Sequence, residues 1–428
     1  MLVINIFYRA YKNNNVALFR ARPESETTRR GRPGHGRRGR RGRRRDERHV
    51  RVRDDAGGAG AADGLSGVRH RGLPELLDRG GHHHLLPLVR DLCRAASRRL
   101  RRRPIVENTG RVFRQLLQAE PYLFTGGVYD PLGAQLAERV GMKSVYLSGY
   151  SMALAQGWPD MGFLTQTEVT RIASMVASAV SIPIIADADD GYGNALSTIR
   201  TVQEYVKTGV AGIHLEDQRF PKRCGHIAGK TVVGLDEALG KYRAAVDTRD
   251  RLDPDFVIIA RTDAYGAVGG SLEEAIRRGR AYADAGVDLV WCELSNASRE
   301  PAIAFARAMR ETHPDLPLAF NYSSSFRWHA DRNPFTFKEL GDLGYKFIFI
   351  TLFAAHAATY AMWNAMEELV RDQEQAQWRL EKTKVGHPTE SHHVMARVAH
   401  FQELEKRYIP GTEERIKSSH GFDDARMH

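Results

Sequence analysis

Residues 221–230 read PKRCGHIAGK and set a single cysteine between two cations and a histidine. Glycines at Gly225 and Gly229 allow the backbone to approach a ligand closely. Lys222, Arg223 and a protonated His226 would each stabilise a thiolate, so this spacing predicts a Cys224 that ionises easily and exchanges a proton near neutral pH. The same composition also fits a basic surface loop that happens to carry a cysteine. The rest of the chain decides between the two.

Further chemistry-bearing residues recur just after short apolar runs. Ser148, Gly149 and Tyr150 follow one run, and Asp187, Asp189 and Asp190 follow the next. Glu216 and Asp217 come before the cysteine segment, and Arg261, Thr262 and Asp263 after it. Glu293, then Asn321, Ser323 and Ser325, and finally Thr351 complete the series. Asp187, Asp189 and Glu216, with Glu293 further off, are oxygen donors that suit Mg²⁺, with Mn²⁺ as a substitute; such a hard cation keeps several waters and takes few carboxylates. Arg261, Asn321, Ser323, Ser325 and Thr351 are donors suited to carboxylates, Arg261 in a bidentate manner. The ligand implied is a small polycarboxylate bridged to a metal. Singly, each residue has a structural use: Asp187 and Asp189 as caps of a helix after Gly193, Arg261 with Asp263 as an internal ion pair, residues 323–325 as a turn. As a set at equivalent positions they point to a site.

The runs that carry these residues read as strands at 122–126, 144–148, 183–186, 211–215, 256–260, 289–292, 318–321 and 347–351. Their near-continuous apolar character fits strands buried on both faces. Amphipathic stretches lie between them, such as 271–285, where Leu272, Ala275, Ile276, Gly279 and Ala283 share one face and Ser271 with Glu274 predicts a capping box. Residues 196–207 and 301–311 read the same way. Eight strands with intervening helices between Arg111 and about Arg371, and no GxGxxG after the first strand, predict an α/β fold of the (β/α)₈ barrel type with additional C-terminal helices.

Charge divides the chain at residue 104. Residues 1–104 hold 27 of the 63 Lys and Arg but 10 of the 52 Asp and Glu, so the remainder has 36 basic residues against 42 acidic ones. The first segment is dominated by Arg and Gly, including GRRGRRGRRR, and lacks the apolar content to fold alone; 105–428 is the expected barrel domain. An Arg-rich arm can hold phosphate backbones. It lacks the interleaved aromatics of a single-strand binder, so a nucleic-acid protein acting through this arm is the lesser alternative. Arginine supplies 26 of those 27 basic residues, which also suits a translated GC-rich leader outside the mature protein. The three cysteines Cys93, Cys224 and Cys292 suit a reducing compartment, no run is long enough to span a membrane, and no secretory signal is evident, so the expected location is cytoplasmic.

From about Arg111 onward the chain resembles isocitrate lyases, within the isocitrate lyase and phosphoenolpyruvate mutase superfamily. The family's KKCGH stands here as Lys222-Arg223-Cys224-Gly225-His226, its ADAEAGFGG as residues 186–193, and its HFEDQ as residues 214–218. ARTDA is matched by residues 260–264, NCSPSFNW by 321–328, SGW by Ser148-Gly149-Tyr150, and a Pro-Asp by Pro159-Asp160. The resemblance implies Mg²⁺-dependent cleavage of isocitrate, a tricarboxylate, to glyoxylate and succinate. It implies Asp187 as metal ligand with Asp160, Asp189 and Glu216 in support. It also implies carboxylate contacts from Ser148, Gly149, Arg261, Asn321, Ser323, Ser325 and Thr351, and loop contacts from Gly225 and His226. Cys224 would protonate the succinate carbanion. A carboxylate-linked water or Tyr150 would take the hydroxyl proton. Tyr150 replaces the usual Trp, Tyr322 and Ser324 replace Cys and Pro, and the KRCGH form is shared with 2-methylisocitrate lyases, which yield pyruvate. The resemblance further implies a homotetramer that exchanges its last barrel helices, residues 357–370 here, with the histidine-bearing stretch 387–393 in a closing C-terminal segment.

Overall fold

A computed structural model describes residues 108–296 and 299–420. Eight parallel strands close into a barrel in chain order: β1 Leu123–Val128, β2 Val145–Leu147, β3 Ile184–Asp187, β4 Gly212–Glu216, β5 Val257–Thr262, β6 Leu289–Cys292, β7 Leu318–Asn321 and β8 Tyr345–Ile350. The predicted barrel is therefore the observed one. The strands β6 and β7 have the expected bounds, while β3, β4 and β5 run further than expected and take in Asp187, Glu216, Arg261 and Thr262 as their last residues. This matters for chemistry, because a residue on a strand end is held by ladder hydrogen bonds that a loop residue lacks. Register sets Asp187 opposite His214 and Glu216 opposite Arg261.

The helices are α1 Thr109–Ala119, α2 Pro131–Arg139, α3 Gly149–Ala155, α4 Gln166–Ala179, α5 Ala195–Thr208, α6 Leu235–Leu252, α7 Leu272–Asp284, α8 Arg299–Thr312, α9 Phe337–Leu343, α10 Phe353–Asp372 and α11 Glu374–Lys384. At α5 the cap is Asn194, whose side chain accepts from the Leu196 and Ser197 amides, so Asp187 and Asp189 are not caps. Ser271 caps α7 by accepting the Glu274 amide at 3.2 Å. The expected capping box stops there, because the Glu274 carboxylate pairs with Arg277 and Arg278 instead.

Two apolar clusters hold the barrel. The inner one packs alternate strand residues, among them Tyr146, Ile185, Ile259, Trp291 and Phe349, and is joined by Phe113 of α1 edge-to-face on Phe347. The outer one lies between the sheet and the helices and includes Val202, Tyr205, Tyr242 and Phe305. Burying both strand faces in this way is the reason the strand sequences read as unbroken apolar runs. Beyond the barrel, α10 buries only Ala355, while Tyr360 and Trp363 are 73 % and 71 % exposed. The histidines of the 387–393 stretch are exposed or half-buried where it enters α12 His392–Met395, followed by α13 Val398–Tyr408 and α14 Thr412–Ser418. None of the described helices is long and apolar enough to cross a membrane. The Arg-rich segment, Cys93 and the expected boundary at 104/105 lie outside the described residues.

Candidate active site

At the carboxyl ends of the strands a cavity is lined by Tyr150, Asp160, Asp187, Cys224, Gly225, His226, Arg261, Glu293, Asn321, Ser323, Ser325 and Thr351. Twelve of the residues singled out in the sequence thus meet around one space. Gly149 and Asp189 line an adjoining hollow together with Asp160 and Asp187. Ser148 and Glu216 are buried and line neither. Ser148 Oγ caps α3 by accepting the Ser151 amide at 3.1 Å, and Glu216 Oε2 lies 3.1 Å from Arg261.

Gly149 cannot be another residue without a shift. Its amide donates to Asp187 Oδ2 at 3.1 Å, and a Cβ there would stand 2.4 Å from that oxygen. The Asp189 amide donates to Asp187 Oδ1 at 2.9 Å, with His214 Nε2 at 3.4 Å from the same oxygen. Burial works to raise the Asp187 pKa, but His214, Lys222 and the Asp189 amide overcome it and hold the carboxyl well below its usual range. Asp189, in left-handed backbone at φ 47°, is pushed the other way to about 7, burial outweighing Lys222, with Asp187 and Asp160 adding repulsion. Burial also raises Glu216 well above an ordinary carboxyl, despite Arg261 and Lys222.

The cysteine loop corrects the reading from sequence. Lys222 turns inward and pairs with Asp160 at 2.5 Å and with Asp189. Arg223 reaches back to the Ala228 carbonyl at 3.0 Å. Both cations are thus engaged with oxygens and not with the thiol. Burial, then Asp160, push the Cys224 pKa up to about 12, against the lowering expected from its sequence neighbours. His226 Nδ1 lies 3.8 Å from Sγ, and its Nε2 lies 3.2 Å from Glu293 Oε1. Gly225 packs so closely that a Cβ would come within 2.6 Å of both Glu293 and Arg261. The consequence is a thiol that stays protonated at neutral pH, suited to giving a proton and unsuited to acting as a resting nucleophile.

The predicted internal ion pair is also present. Arg261 Nε and Nη2 reach Asp263 at 2.8 and 3.0 Å, which leaves Nη1 toward Glu216. Asn321 Nδ2 donates to Glu293 at 3.2 Å, while its Oδ1 accepts from Thr351 at 2.8 Å. Ser323 Oγ accepts the Ser325 amide at 3.2 Å, so the predicted turn exists and still presents both serines to the cavity.

Two participants were not singled out from sequence. Tyr146, on β2, lines the cavity and its hydroxyl is 2.8 Å from His214 Nε2, which continues to Asp187. Trp291 lines it as well, with the Arg261 guanidinium 4.4 Å over its ring. Tyr146 and Trp291 look apolar in sequence. Only strand register, reading inward side chains at every second position, could have found them.

Among the described residues no three His, Cys, Asp or Glu side chains converge into a ready cage. The donor chemistry nonetheless fits Mg²⁺, a cation that takes few carboxylates and retains water. Asp187, Asp189 and Asp160 line one acidic hollow, and the buried Glu216 Oε1 has no hydrogen-bond partner. In the present arrangement Lys222 supplies the positive charge of that group.

Residues 113–370 match the phosphoenolpyruvate phosphomutase family. An isocitrate lyase of Haloferax volcanii is 48 % identical over 315 residues, 73 % of this chain and 91 % of that protein. A 2-methylisocitrate lyase of Aeropyrum pernix is 34 % identical over 63 % of this chain and 82 % of its own. A phosphonopyruvate hydrolase structure in complex with oxalate and Mg²⁺ superposes with a TM-score of 0.60 at 26 % identity, covering 71 % of this chain and all of that one.

Proposed function

The chain belongs to the isocitrate lyase and phosphoenolpyruvate phosphomutase superfamily of lyases, and within it we propose that this enzyme cleaves isocitrate to glyoxylate and succinate with Mg²⁺. The observation that carries the reading is one cavity lined by the half-buried Cys224 thiol and by the carboxylates of Asp160, Asp187 and Glu293, with Asn321, Ser323, Ser325 and Thr351 around them. The Haloferax relative's 48 % identity supports isocitrate as substrate.

Cleavage breaks the bond between the hydroxyl-bearing carbon and its neighbour, after the hydroxyl proton is removed. Tyr146 and Tyr150 line the cavity where that proton leaves, and a water held by the carboxylates is suited to take it. The electron pair of the broken bond collects on the carbon that becomes part of succinate. Cys224 gives that carbon a proton, and Arg261 and His226 lie near enough to temper the thiolate that results. Asp187, with Asp189, Asp160 and Glu216 in support, would hold the cation, which when bound supplies Lewis-acid stabilisation of the negative oxygen. Lys222 would then have to yield part of its place among these carboxylates.

The exposed aromatic side chains of α10 support a homotetramer in which these helices are exchanged between copies. The unpaired Cys224 and Cys292 support a reducing, cytoplasmic setting. The KRCGH form and the Aeropyrum relative favour one other substrate, 2-methylisocitrate. One methyl group is worth roughly 1 to 3 kcal/mol, or about 10- to 200-fold. Purified protein with Mg²⁺, offered each substrate in turn, is expected to give a kcat/KM at least about tenfold higher for isocitrate. The opposite ratio would move the assignment to 2-methylisocitrate, and product from neither would remove it.

A further inference from the structure

Lys230 closes the segment that carries Cys224 and lies outside every role assigned above. Its side chain is 1 % exposed, and Nζ makes two bonds of 2.7 Å, one to the Gly225 carbonyl and one to Asp263 Oδ1. The two partners belong to different parts of the molecule. Gly225 sits on the loop, next to the thiol, while Asp263 follows β5 and is held at both carboxylate oxygens by Arg261. Asp263 is itself fixed, because its amide donates to Asp217 Oδ1 at 2.9 Å. Lys230 is anchored as well, its carbonyl accepting the Val268 amide at 2.9 Å. Burying an ammonium is costly unless strong partners are supplied, and here one of them is a loop carbonyl one residue from Cys224.

We propose that Lys230 is a positioning residue: its ammonium ties the Gly225 carbonyl to the rigid Asp263–Arg261 pair and so holds the Cys224 thiol over the cavity. This rests on the reading of Cys224 as the proton donor. The loop has other ties, of which the His226 contact with Glu293 at 3.2 Å and the Arg223 bond to the Ala228 carbonyl at 3.0 Å lie after the thiol. The Cys224 amide reaches the Asp160 carbonyl at 2.9 Å, Gln218 brackets Arg223, and Lys222 reaches the acidic cluster. None of these acts on the carbonyl between Gly225 and His226. Loss of the Lys230 bond therefore frees the Gly225 carbonyl, which neither the His226–Glu293 contact nor the Arg223–Ala228 bond holds, at a place where the tight Gly225 contact gives distance and no attraction.

The test compares wild type with Lys230→Met, full-length and substrate-free, by peptide-resolved iodoacetamide labelling and amide hydrogen exchange. In wild type the Cys224 and Ile227 amides are expected to be protected. In Lys230→Met, Cys224 labelling is expected to rise about tenfold or more and the 221–230 peptide to exchange faster, with the β5 peptide unchanged. With substrate, kcat is expected to fall by about 10- to 100-fold, the scale of an ångström-sized misplacement, while KM moves much less. Lys230→Gln, which keeps a donor for the Gly225 carbonyl, is expected to lie between the two. Labelling within twofold of wild type in a folded Lys230→Met protein would overturn the proposal. So would a wild-type loop whose Cys224 and Ile227 amides exchange unprotected, a result that needs no variant to fold. Labelling and exchange require no turnover, so they can fail while the lyase reading stands, and the lyase reading can fail without altering them.

Discussion

Raising the pH on the folded enzyme should leave Cys224 a thiol long after an ordinary cysteine has ionised. Burial is the main cause of its pKa of about 12, Asp160 adds to it, and the His226 amide and Arg261 only partly offset the rise. At pH 8 a thiol of pKa 12 is about 10⁻⁴ thiolate, against about 10⁻¹ for one at the ordinary value of 9. Alkylation of Cys224 at pH 8 should therefore run about a thousandfold slower than that of an unperturbed thiol, before any loss of access is counted. The rate should climb tenfold per pH unit through pH 10 with no inflection near 9, and urea should abolish the difference. The sign for stability follows. With the folded pKa above the unfolded one, the contribution of the neutral thiol is complete below the unfolded value of about 8.5 and is lost as pH rises through about 12. Peptide-resolved labelling by mass spectrometry separates Cys224 from Cys93 and Cys292. An inflection at or below pH 8 would show that Lys222 and Arg223 do lower the thiol pKa, and the assignment of a resting proton donor would be lost.

Cys224→Ser should bind substrate normally while kcat falls by roughly 10²- to 10⁴-fold, since a hydroxyl of similar size is a much weaker acid; turnover within a few-fold of wild type would exclude the thiol as donor. Asp217→Ala should lower stability by about 3 to 5 kcal/mol in urea titrations, because it strips a buried partner from Arg278. The same carboxylate also accepts from Thr262, Tyr282 and the Asp263 amide, so a loss under about 1 kcal/mol would mean that this network holds little. Deleting residues 1–103 should leave steady-state turnover nearly unchanged, because none of the cavity residues lies there; a folded but inactive product would assign the Arg-rich segment a part in the site.

The barrel was legible because β strands buried on both faces must be apolar throughout, and because the polar residues that end them fall at equivalent places. The cavity was legible for a related reason: Asp187, Arg261 and Asn321 are polar residues ending apolar strands, a placement that only a site or an ion pair explains. Arg261 turned out to be in both positions at once, on the cavity and paired with Asp263. What sequence adjacency misjudged was direction. Lys222 and Cys224 are two residues apart, yet the first points into the acidic cluster and the second toward the cavity, so the cation assists the carboxylates and not the thiol. Adjacency likewise hid Tyr146 and Trp291, whose importance comes from the inward face of β2 and β6. It hid Lys230 too, whose partner Asp263 is 33 residues away.

The central claim is that this cavity breaks a carbon–carbon bond and that the fragment left with the electron pair takes its proton inside the site. Wild-type protein with Mg²⁺ and isocitrate in D₂O tests both parts at once. Glyoxylate and succinate should appear in equal amounts, each succinate carrying one solvent-derived deuterium placed on a single face of the carbon released by cleavage. No cleavage, or deuterium distributed equally over both faces, would contradict the account.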